Sequence, residues 1–240
     1  MFHGVRACEA LFTRRPDAIV RVYLTEPRRR QFAKLVAWCA GSRKGFQVVA
    51  EENLARLTGS IHHEGIAILA RQVPRWTFAD LLGGAAGLGG PLVYLDGVQN
   101  PHNLGSILRS AAHFGVGAIL GRAGDLPPLS PAAVRVAEGA AEVVPVCDLA
   151  DPAADLGRLR REGWRVVVTT SHAGEPLYQA KLPERTVLVL GSEGEGVSPA
   201  VDRLADLRVR IPGTGAVESL NVSVACGVAL GEIWRRRQPG

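Results

Sequence analysis

The fold class is indicated by the segment Leu95-Asp-Gly-Val-Gln-Asn-Pro-His-Asn-Leu-Gly-Ser-Ile-Leu-Arg109. This segment passes from an apolar strand through a polar loop into a helix. Asn100 and Asn103 bracket the predicted helix start, where Asn side chains cap exposed backbone N–H groups. The apolar residues that follow recur at helical spacing and form an inward stripe: Leu104, Ile107, Leu108 and Ala111. Arg109 lies outside this stripe, so its guanidinium can project back over Gly105 towards the loop.

The same alternation of strand and helix continues through the last two thirds of the chain. After Pro91, short apolar runs alternate with helical patterns as far as a closing helix predicted over about 220–236. Nearly all-apolar strands in this order indicate a buried, mainly parallel sheet that is covered by helices on both faces. The fold class that we expect is therefore α/β.

The first third of the chain predicts a smaller α/β unit, in which three helices alternate with three strands. After Val73 the composition changes, and five glycines between Gly83 and Gly90 disfavour a stable long helix. We therefore expect a small domain over 1–73, a mobile Gly-rich linker over 74–90 and a second domain over 91–240.

Composition and length exclude several classes of protein. With 240 residues, 47% of them apolar and 21% charged, the chain has the composition of a folded domain rather than of a disordered or fibrous protein. The longest nearly uninterrupted apolar run, Val222–Leu230, is far shorter than the ~20 residues of a membrane span. The N-terminus also lacks the hydrophobic core of a signal peptide. We expect a cytoplasmic protein with no membrane segment.

Basic residues are concentrated in the first third of the chain. Residues 1–75 contain 13 Lys+Arg against 6 Asp+Glu, whereas residues 76–240 contain 15 against 17. Clusters such as Arg14-Arg15, Arg28-Arg29-Arg30 and Arg43-Lys44 suit contact with a phosphate backbone, although a solvated Arg-rich surface has the same composition. The low aromatic content, 5%, disfavours a stacking platform for single strands.

Neither a metal site nor a disulfide framework is predicted. The sequence has no CxxC pair and no Cys/His cluster at zinc spacing. We expect the four cysteines to be reduced and mostly in the core: Cys8, Cys39, Cys147 and Cys226. The adjacent His62 and His63 point in different directions and have no evident third ligand, which favours a turn.

Two further strand-end loops are rich in glycine and polar residues. Val187–Pro199 places Glu193 among three glycines, but it has neither the Lys-Ser/Thr of a P-loop nor the G-x-G-x-x-G spacing of a dinucleotide fold. Ile211–Cys226 leads into a helix that begins at Ser219 or Asn221 and is packed with small residues. Each loop taken alone fits a structural turn or an N-cap as well as it fits a ligand site.

Taken together and in this order, three segments resemble the motifs of the SPOUT-class RNA methyltransferases of the SpoU/TrmH branch. They are NPHNLGSILR (100–109), LVLGSEGEG (188–196) and IPGTGAVESLNVSVA (211–225). Upstream, AIVRVYLT (18–25), FQVVAEENLARLTG (46–59) and HHEGIAILA (62–70) are similar to the L30e-like substrate-binding domain of many members. The resemblance covers almost the whole chain and is closest to an uncharacterised group of tRNA/rRNA methyltransferases.

The resemblance implies a mechanism and a set of site residues. Family members bind S-adenosylmethionine (SAM) in a deep trefoil knot, mostly through backbone groups, and transfer its methyl group to a ribose 2′-hydroxyl of rRNA or tRNA. By position, the cofactor contacts fall on Thr170, Leu190, Gly191, Ile211, Pro212 and Leu220. The catalytic positions, usually completed across a homodimer interface, are Asn103, Arg109, Glu193, Ser219 and Asn221. One departure is Gly213, which stands where the family commonly has Met and which loosens the loop.

A guanidinium is not deprotonated in ordinary protein settings. We therefore expect Arg109 to bind a neighbouring RNA phosphate and stabilise the developing alkoxide, while Asn221 and Glu193 hold it and the backbone in place. A catalytically silent RNA-binding or ribosome-assembly factor is the alternative, although retention of the polar residues speaks against it. A dinucleotide-dependent enzyme fits less well, because no strand ends in the required glycine fingerprint.

Overall fold

The protein consists of two compact units, and each unit combines two separate stretches of the sequence. The computed structural model describes residues 1–84 and 89–237. The first unit combines Met1–Pro74 with Leu129–Val143, and the second contains the rest of the described chain. The small N-terminal domain expected over 1–73 therefore gains a segment that the sequence had placed in the C-terminal domain.

The first unit carries a four-stranded sheet with the strand order β1-β4-β2-β3. Its N-terminal elements are β1 (Phe2–His3), α1 (Val5–Arg14), β2 (Ile19–Leu24), α2 (Glu26–Gln31), α3 (Ala33–Gly41), β3 (Gly45–Val48), α4 (Glu51–Thr58) and β4 (Ile66–Ala70). Strand β2 pairs with β3 in parallel and with β4 antiparallel. The predicted alternation of helices and strands is confirmed, with the two-residue strand β1 added and the second helix divided in two.

The segment Leu129–Val143 joins the first unit through close packing and a buried ion pair. It contains α7 (Pro131–Val136) and a single turn of 3₁₀ helix. The Glu142 carboxylate is almost completely buried and accepts from Arg15, with Nε 2.5 Å from Oε2. Arg15 also donates to the Gln72 carbonyl at 3.2 Å. This pairing gives Arg15 a structural role within the first unit.

The second unit contains an eight-stranded sheet in which every described strand pair is parallel. The strand order is β10-β12-β9-β11-β6-β7-β8-β5. Its strands are β5 (Trp76–Thr77), β6 (Leu92–Asp96), β7 (Ala118–Arg122), β8 (Val146–Leu149), β9 (Arg165–Thr169), β10 (Glu175–Pro176), β11 (Thr186–Gly191) and β12 (Leu207–Arg210). Its helices are α5 (Phe78–Gly84), α6 (Pro101–His113), α8 (Pro152–Arg161), α9 (Pro199–Asp202) and α10 (Val222–Arg237). The expected α/β fold is confirmed.

The glycine-rich segment is only partly a connector. Strand β5 pairs in parallel with β8, and helix α5 buries Leu81 completely in the core of the second unit. Apolar side chains at Trp76, Phe78 and Leu81 outweigh the low helix propensity of the neighbouring glycines. Residues 76–84 are therefore folded, which corrects the linker expected over 74–90, while residues 85–88 of that linker lie outside the described residues.

The cores are apolar, and the cysteines belong to them. The central strands of the second sheet are almost completely buried, as predicted for a sheet covered on both faces. All four cysteines are free and buried, as the sequence predicted. Burial raises the pKa of Cys147 and of Cys226 to about 12. Among the described residues, no helix has the length and apolar character to cross a bilayer.

Candidate functional site

Four loops of the second unit meet at one edge of its sheet. Strands β12, β9, β11 and β6 are neighbours in that order and run parallel, so their carboxyl ends deliver the loops that follow to the same edge. Gly191, the last residue of β11, is paired with Asp96, the last residue of β6. The loops after β6 and β11, which lie far apart in sequence, are therefore held side by side.

Three side chains from separate segments form a hydrogen-bonded cluster at this edge. The Asn221 amide nitrogen Nδ2 donates to Glu193 Oε1 at 2.7 Å and to Asn103 Oδ1 at 3.1 Å. The Asn103 Nδ2 group lies 3.5 Å from the same Glu193 oxygen. The structure thus brings together three of the five predicted catalytic residues. One carboxylate oxygen is approached by two amide donors, which fixes the direction of all three side chains.

Asn100 and Asn103 have different roles at the start of α6. Asn100 is the N-cap, with its Oδ1 accepting from the His102 N–H at 2.8 Å. Asn103 lies inside the first turn, and its side chain turns to the cluster instead of capping the helix. Local sequence predicts a cap at both positions, whereas the family resemblance also places Asn103 among the catalytic positions. The cap is wrong for Asn103, because the partners of its side chain are 90 and 118 residues away.

Asn221 combines two functions in one amide group. Its Oδ1 accepts from the Ser223 backbone N–H at 3.0 Å and from the Ser223 hydroxyl at 2.6 Å, which satisfies the start of α10. Its Nδ2 is then directed to Glu193 and Asn103. The sequence offered Ser219 and Asn221 as capping residues, and the residue that caps α10 is Asn221. Within the described chain, the Ser219 hydroxyl makes no hydrogen bond, and Ser219 is exposed.

The loop that carries Glu193 is folded back on itself. Ser192 and Gly196 exchange backbone hydrogen bonds of 3.2 and 3.1 Å. A Cβ on Gly191 would overlap the carbonyl of Gly196, so this position requires glycine. The loop is closed by Asp96, whose Oδ2 accepts from the Ser198 N–H at 2.7 Å. Glu193 is exposed, but the backbone on both sides of it is constrained.

Asp96 is a site residue that the sequence analysis missed. It stands at the end of β6, and it also accepts from the Tyr94 hydroxyl at 3.3 Å. Burial, followed by the nearby Asp96 charge, raises the pKa of Tyr94, so this phenol stays protonated and acts as a donor. An acidic residue at the carboxyl end of a parallel strand was the signal that could have identified it.

The loop between β12 and α10 is the most open part of this edge. Every residue from Pro212 to Asn221 is exposed. Within the described residues, the Ala216 N–H is the only backbone donor of this stretch with an acceptor, the Thr214 hydroxyl at 3.4 Å. His172, from the loop after β9, has its Nε2 atom 3.2 Å from Oε1 of Glu218. The segment thus presents its backbone, rather than a packed surface.

The remaining predicted positions lie around the same edge. Leu190 is buried in β11, Ile211 follows β12 and is half-buried, and Leu220 is 42% exposed. The Thr170 hydroxyl follows β9 and accepts from the His172 and Ala173 N–H groups at 3.3 and 3.4 Å. Arg109 is exposed on α6, about 9 Å along the helix axis from Asn103. No group of side chains suited to hold a metal ion occurs among the described residues.

Comparisons with known proteins agree over the whole chain. The SpoU rRNA methylase family matches residues 90–231, and the substrate-binding domain of RNA 2′-O ribose methyltransferases matches residues 2–76. The uncharacterised tRNA/rRNA methyltransferase YfiF of Escherichia coli O157:H7 is 40% identical over 98% of this chain and 68% of its own length. The 23S rRNA (guanosine-2′-O-)-methyltransferase RlmB of Pseudomonas aeruginosa is 36% identical over 99% and 96%.

A solved structure shares the fold. It is the rRNA methyltransferase of Sinorhizobium meliloti with bound S-adenosylmethionine, which has a TM-score of 0.77 and 24% sequence identity to this chain. The match covers 99% of this chain and 87% of the Sinorhizobium meliloti chain. This likeness concerns the fold, whereas the family matches and the relatives concern the sequence. The chain therefore belongs to the SpoU rRNA methylase family.

Proposed function

We propose that this protein is an RNA methyltransferase that transfers the methyl group of SAM to a ribose 2′-hydroxyl of rRNA or tRNA. The observation that carries the proposal is the cluster of Asn103, Glu193 and Asn221, which is assembled at the ligand-binding edge of the sheet. Family membership and the activity of RlmB support the same reaction. An assembled polar cluster also distinguishes this reading from that of a silent RNA-binding factor, which has no chemical need for it.

The exposed loop between β12 and α10 fits SAM, which the family binds mostly through backbone groups. A polar ligand at this edge would meet backbone N–H groups that have no acceptor in the described chain. We assign the adenine and ribose contacts to Leu190, Gly191, Ile211, Pro212 and Leu220, with Thr170 at the border of the site. When bound, SAM supplies the electrophilic methyl group. Gly213 adds no side chain to this loop, so at this position only backbone groups can contribute to the affinity for SAM.

The chain's own side chains position the substrate ribose and stabilise charge. We assign Arg109 to the RNA phosphate beside the target ribose and to the alkoxide that develops on the 2′-oxygen. Glu193 and Asn221 orient the backbone and side chains of the two loops, and Ser219 lies within the same exposed segment. Holding a hydroxyl in line with a methyl donor is a large part of such catalysis, up to ~7 to 11 kcal/mol in the best cases.

The first unit is the proposed RNA-binding domain. Residues 1–75 carry the basic excess, and several of their basic side chains are exposed: Arg14, Arg21, Arg29, Arg30, Lys34 and Arg43. Contact with phosphates releases counterions, so RNA affinity should fall steeply with added salt. We assign residues 91–240 to catalysis, although Leu129–Val143 packs with the first unit.

We further propose a cytoplasmic homodimer whose C-terminal segment is threaded as a trefoil knot. Apolar side chains on the loop before α10 and on the helix itself support the dimer, because large exposed apolar patches mark interfaces. They are Val217 (71% exposed), Leu220 (42%), Val224 (52%) and Trp234 (43%). Sedimentation equilibrium tests the dimer, and an active monomer would refute it.

Mapping of ribose 2′-O-methylation in cells with and without this gene tests the proposed function. We expect one or more rRNA or tRNA sites to be lost, and purified protein with methyl-labelled SAM to restore them. The Arg109→Ala variant is expected to leave them unmethylated. If no site is lost and the purified protein transfers no methyl group but still binds RNA, the protein is the non-catalytic factor.

A further inference from the structure

An open cavity of about 440 Å³ lies in the first unit. It is bounded by one face of the four-stranded sheet and by helix α4, and its lining residues are Tyr23, Gln47, Val49, Asn53, Arg56 and Leu57. Tyr23 on β2 is paired with Gln47 on β3, so these two side chains stand side by side on the same face. Sites of ~300 to 1,000 Å³ are typical for small molecules and cofactors.

The cavity combines an apolar wall with hydrogen-bonding groups that have no partner among residues 1–84 and 89–237. Leu57 is 42% exposed, and with Val49 and the Tyr23 ring it provides a flat apolar surface. Within the described chain, neither the Gln47 amide nor the Tyr23 hydroxyl makes a hydrogen bond. These groups are therefore available to a ligand that has both an apolar face and polar edges.

Two residues of α4 give the cavity a fixed polar rim. Arg56 Nη2 donates to Asn53 Oδ1 at 2.6 Å, and its Nε lies 3.5 Å from the Glu52 carbonyl. The hydrogen bond from Arg56 occupies the side-chain oxygen of Asn53. The two N–H donors of the Asn53 Nδ2 group are not used by this bond. The rim therefore offers amide donors beside a guanidinium.

The positive charge next to the cavity favours an anionic ligand. Arg21 is two residues from Tyr23 on the same face of β2, and its side chain lies over Gly45, where a Cβ would be 3.2 Å from its Nε. Arg43 and Lys44 directly precede strand β3. An apolar slot with amide groups and a basic border has the chemistry that recognises an unstacked nucleobase together with its phosphate.

We propose that this cavity, here called the α4 pocket, binds a single unstacked nucleotide of the substrate RNA. The base lies against Tyr23 and Leu57, Gln47 and Asn53 bond to its polar edge, and Arg56 and Arg21 contact the adjacent phosphates. The site rests on the proposed function insofar as it assumes an RNA substrate. It extends that function by selecting RNA that contains an unpaired nucleotide.

Binding of two RNA probes to the full-length protein tests the α4 pocket. One is a mixed-sequence hairpin with an unpaired loop, and the other is the fully paired duplex of the same length. We expect the wild-type protein to prefer the hairpin. Tyr23→Leu should weaken hairpin binding by about 5- to 150-fold, the range for loss of one base–aromatic stack, and leave duplex binding within about twofold. Equal loss for both probes, or no loss for either, would overturn the proposal.

A second pair of variants removes the risk that Tyr23→Leu disturbs folding. Gln47 is exposed, so Gln47→Ala leaves packing unchanged and should weaken hairpin binding by about 2- to 10-fold through lost hydrogen bonds. Gln72→Ala is the matched control, because Gln72 is an exposed glutamine of the same unit outside the pocket. Equal effects of Gln47→Ala and Gln72→Ala would contradict the pocket.

The two proposals fail in different ways. If the protein transfers no methyl group but the hairpin preference depends on Tyr23 and Gln47, the α4 pocket stands and the proposed activity fails. If methyl transfer occurs and both variants bind the hairpin like the wild type, the activity stands and the pocket fails.

Discussion

The substitution Asn221→Asp separates the two functions of the Asn221 amide. Aspartate is as good an N-cap as asparagine, so the hydrogen bonds from Ser223 to the retained oxygen persist, and its charge favours the N-terminus of α10. The Nδ2 donor, however, is replaced by a second oxygen. That oxygen faces the Glu193 carboxylate, where the amide now donates at 2.7 Å.

The expected loss follows from these contacts. The variant loses a hydrogen bond to a charged acceptor, which contributes about 1.5 to 3 kcal/mol, and it places two carboxylates in contact. Two unit charges 2.7 Å apart repel by about 1.5 kcal/mol in the dielectric of water, which is the appropriate limit because both side chains are exposed. Glu193 therefore turns away and Asn103 loses its orientation. This movement relieves the repulsion, so the lost hydrogen bond sets the effect, and we expect kcat to fall by about 10- to 150-fold.

Three measurements on each variant distinguish a lost donor from a lost helix start. They are kcat for transfer of labelled methyl from SAM to RNA, SAM affinity by calorimetry, and the melting temperature. For Asn221→Asp, we expect reduced kcat with an unchanged melting temperature. Ser223→Ala is the control, because it removes one bond to the Asn221 oxygen and retains the Nδ2 donor. Its kcat should stay within about twofold of the wild type.

Two outcomes would refute this account of the cluster. Wild-type kcat in Asn221→Asp would show that the contacts among Asn103, Glu193 and Asn221 do not position the reacting groups. An equal loss of kcat in Ser223→Ala would show that the start of α10, and not the amide donor, is the sensitive feature.

Three further predictions concern separate parts of the second unit and of the core. Arg109→Ala should abolish methyl transfer and leave SAM affinity nearly unchanged, because the proposed cofactor contacts are mostly backbone groups; a calorimetric loss parallel to the loss of activity would contradict this. Hydrogen bonds from two neighbouring arginines lower the pKa of Glu232 to about 2, so its contribution to stability is present above about pH 4.5 and fades as the pH falls to about 2. Melting curves of Glu232→Gln should therefore differ from wild type at neutral pH and converge in acid, and a difference independent of pH would be inconsistent with this pairing. The buried thiols of Cys147 and Cys226, with pKa values of about 12, should resist alkylation at pH 8 until the protein unfolds, which mass spectrometry can follow.

Local periodicity was sufficient to predict the order of the elements and the edge of the sheet that carries the site. Apolar runs separated by helical patterns indicate parallel strands, and parallel strands place their following loops at one edge. That reasoning places Glu193 and Asn221 in strand-end loops. It did not predict the partners of each side chain, because these are decided by strand register and helix packing rather than by local sequence.

Long-range partners explain what local sequence did not predict. Asn103 has the residue type and position of a capping residue, yet its partners come from the loops after β11 and β12. Arg15 has the charge of a phosphate contact, but the buried Glu142 lies 127 residues away in the chain. Trp76 and Phe78 precede a run of glycines whose composition suggests a linker, although a strand and a helix form there.

The cluster depends on the close approach of α10 to α6. Gly227 and Gly231 of α10 face α6, where a Cβ at these positions would lie 3.7 Å from Ser110 Oγ and 3.6 Å from Phe114 Cζ. A single methyl group is accommodated at these distances, but larger side chains would push the two helices apart. Because Asn221 directly precedes α10 and Asn103 lies in the first turn of α6, the spacing of these helices determines whether the Asn221 amide reaches Asn103 and Glu193. Gly227 and Gly231 are therefore part of the geometry of the site, although neither of them contributes a side chain to the cluster.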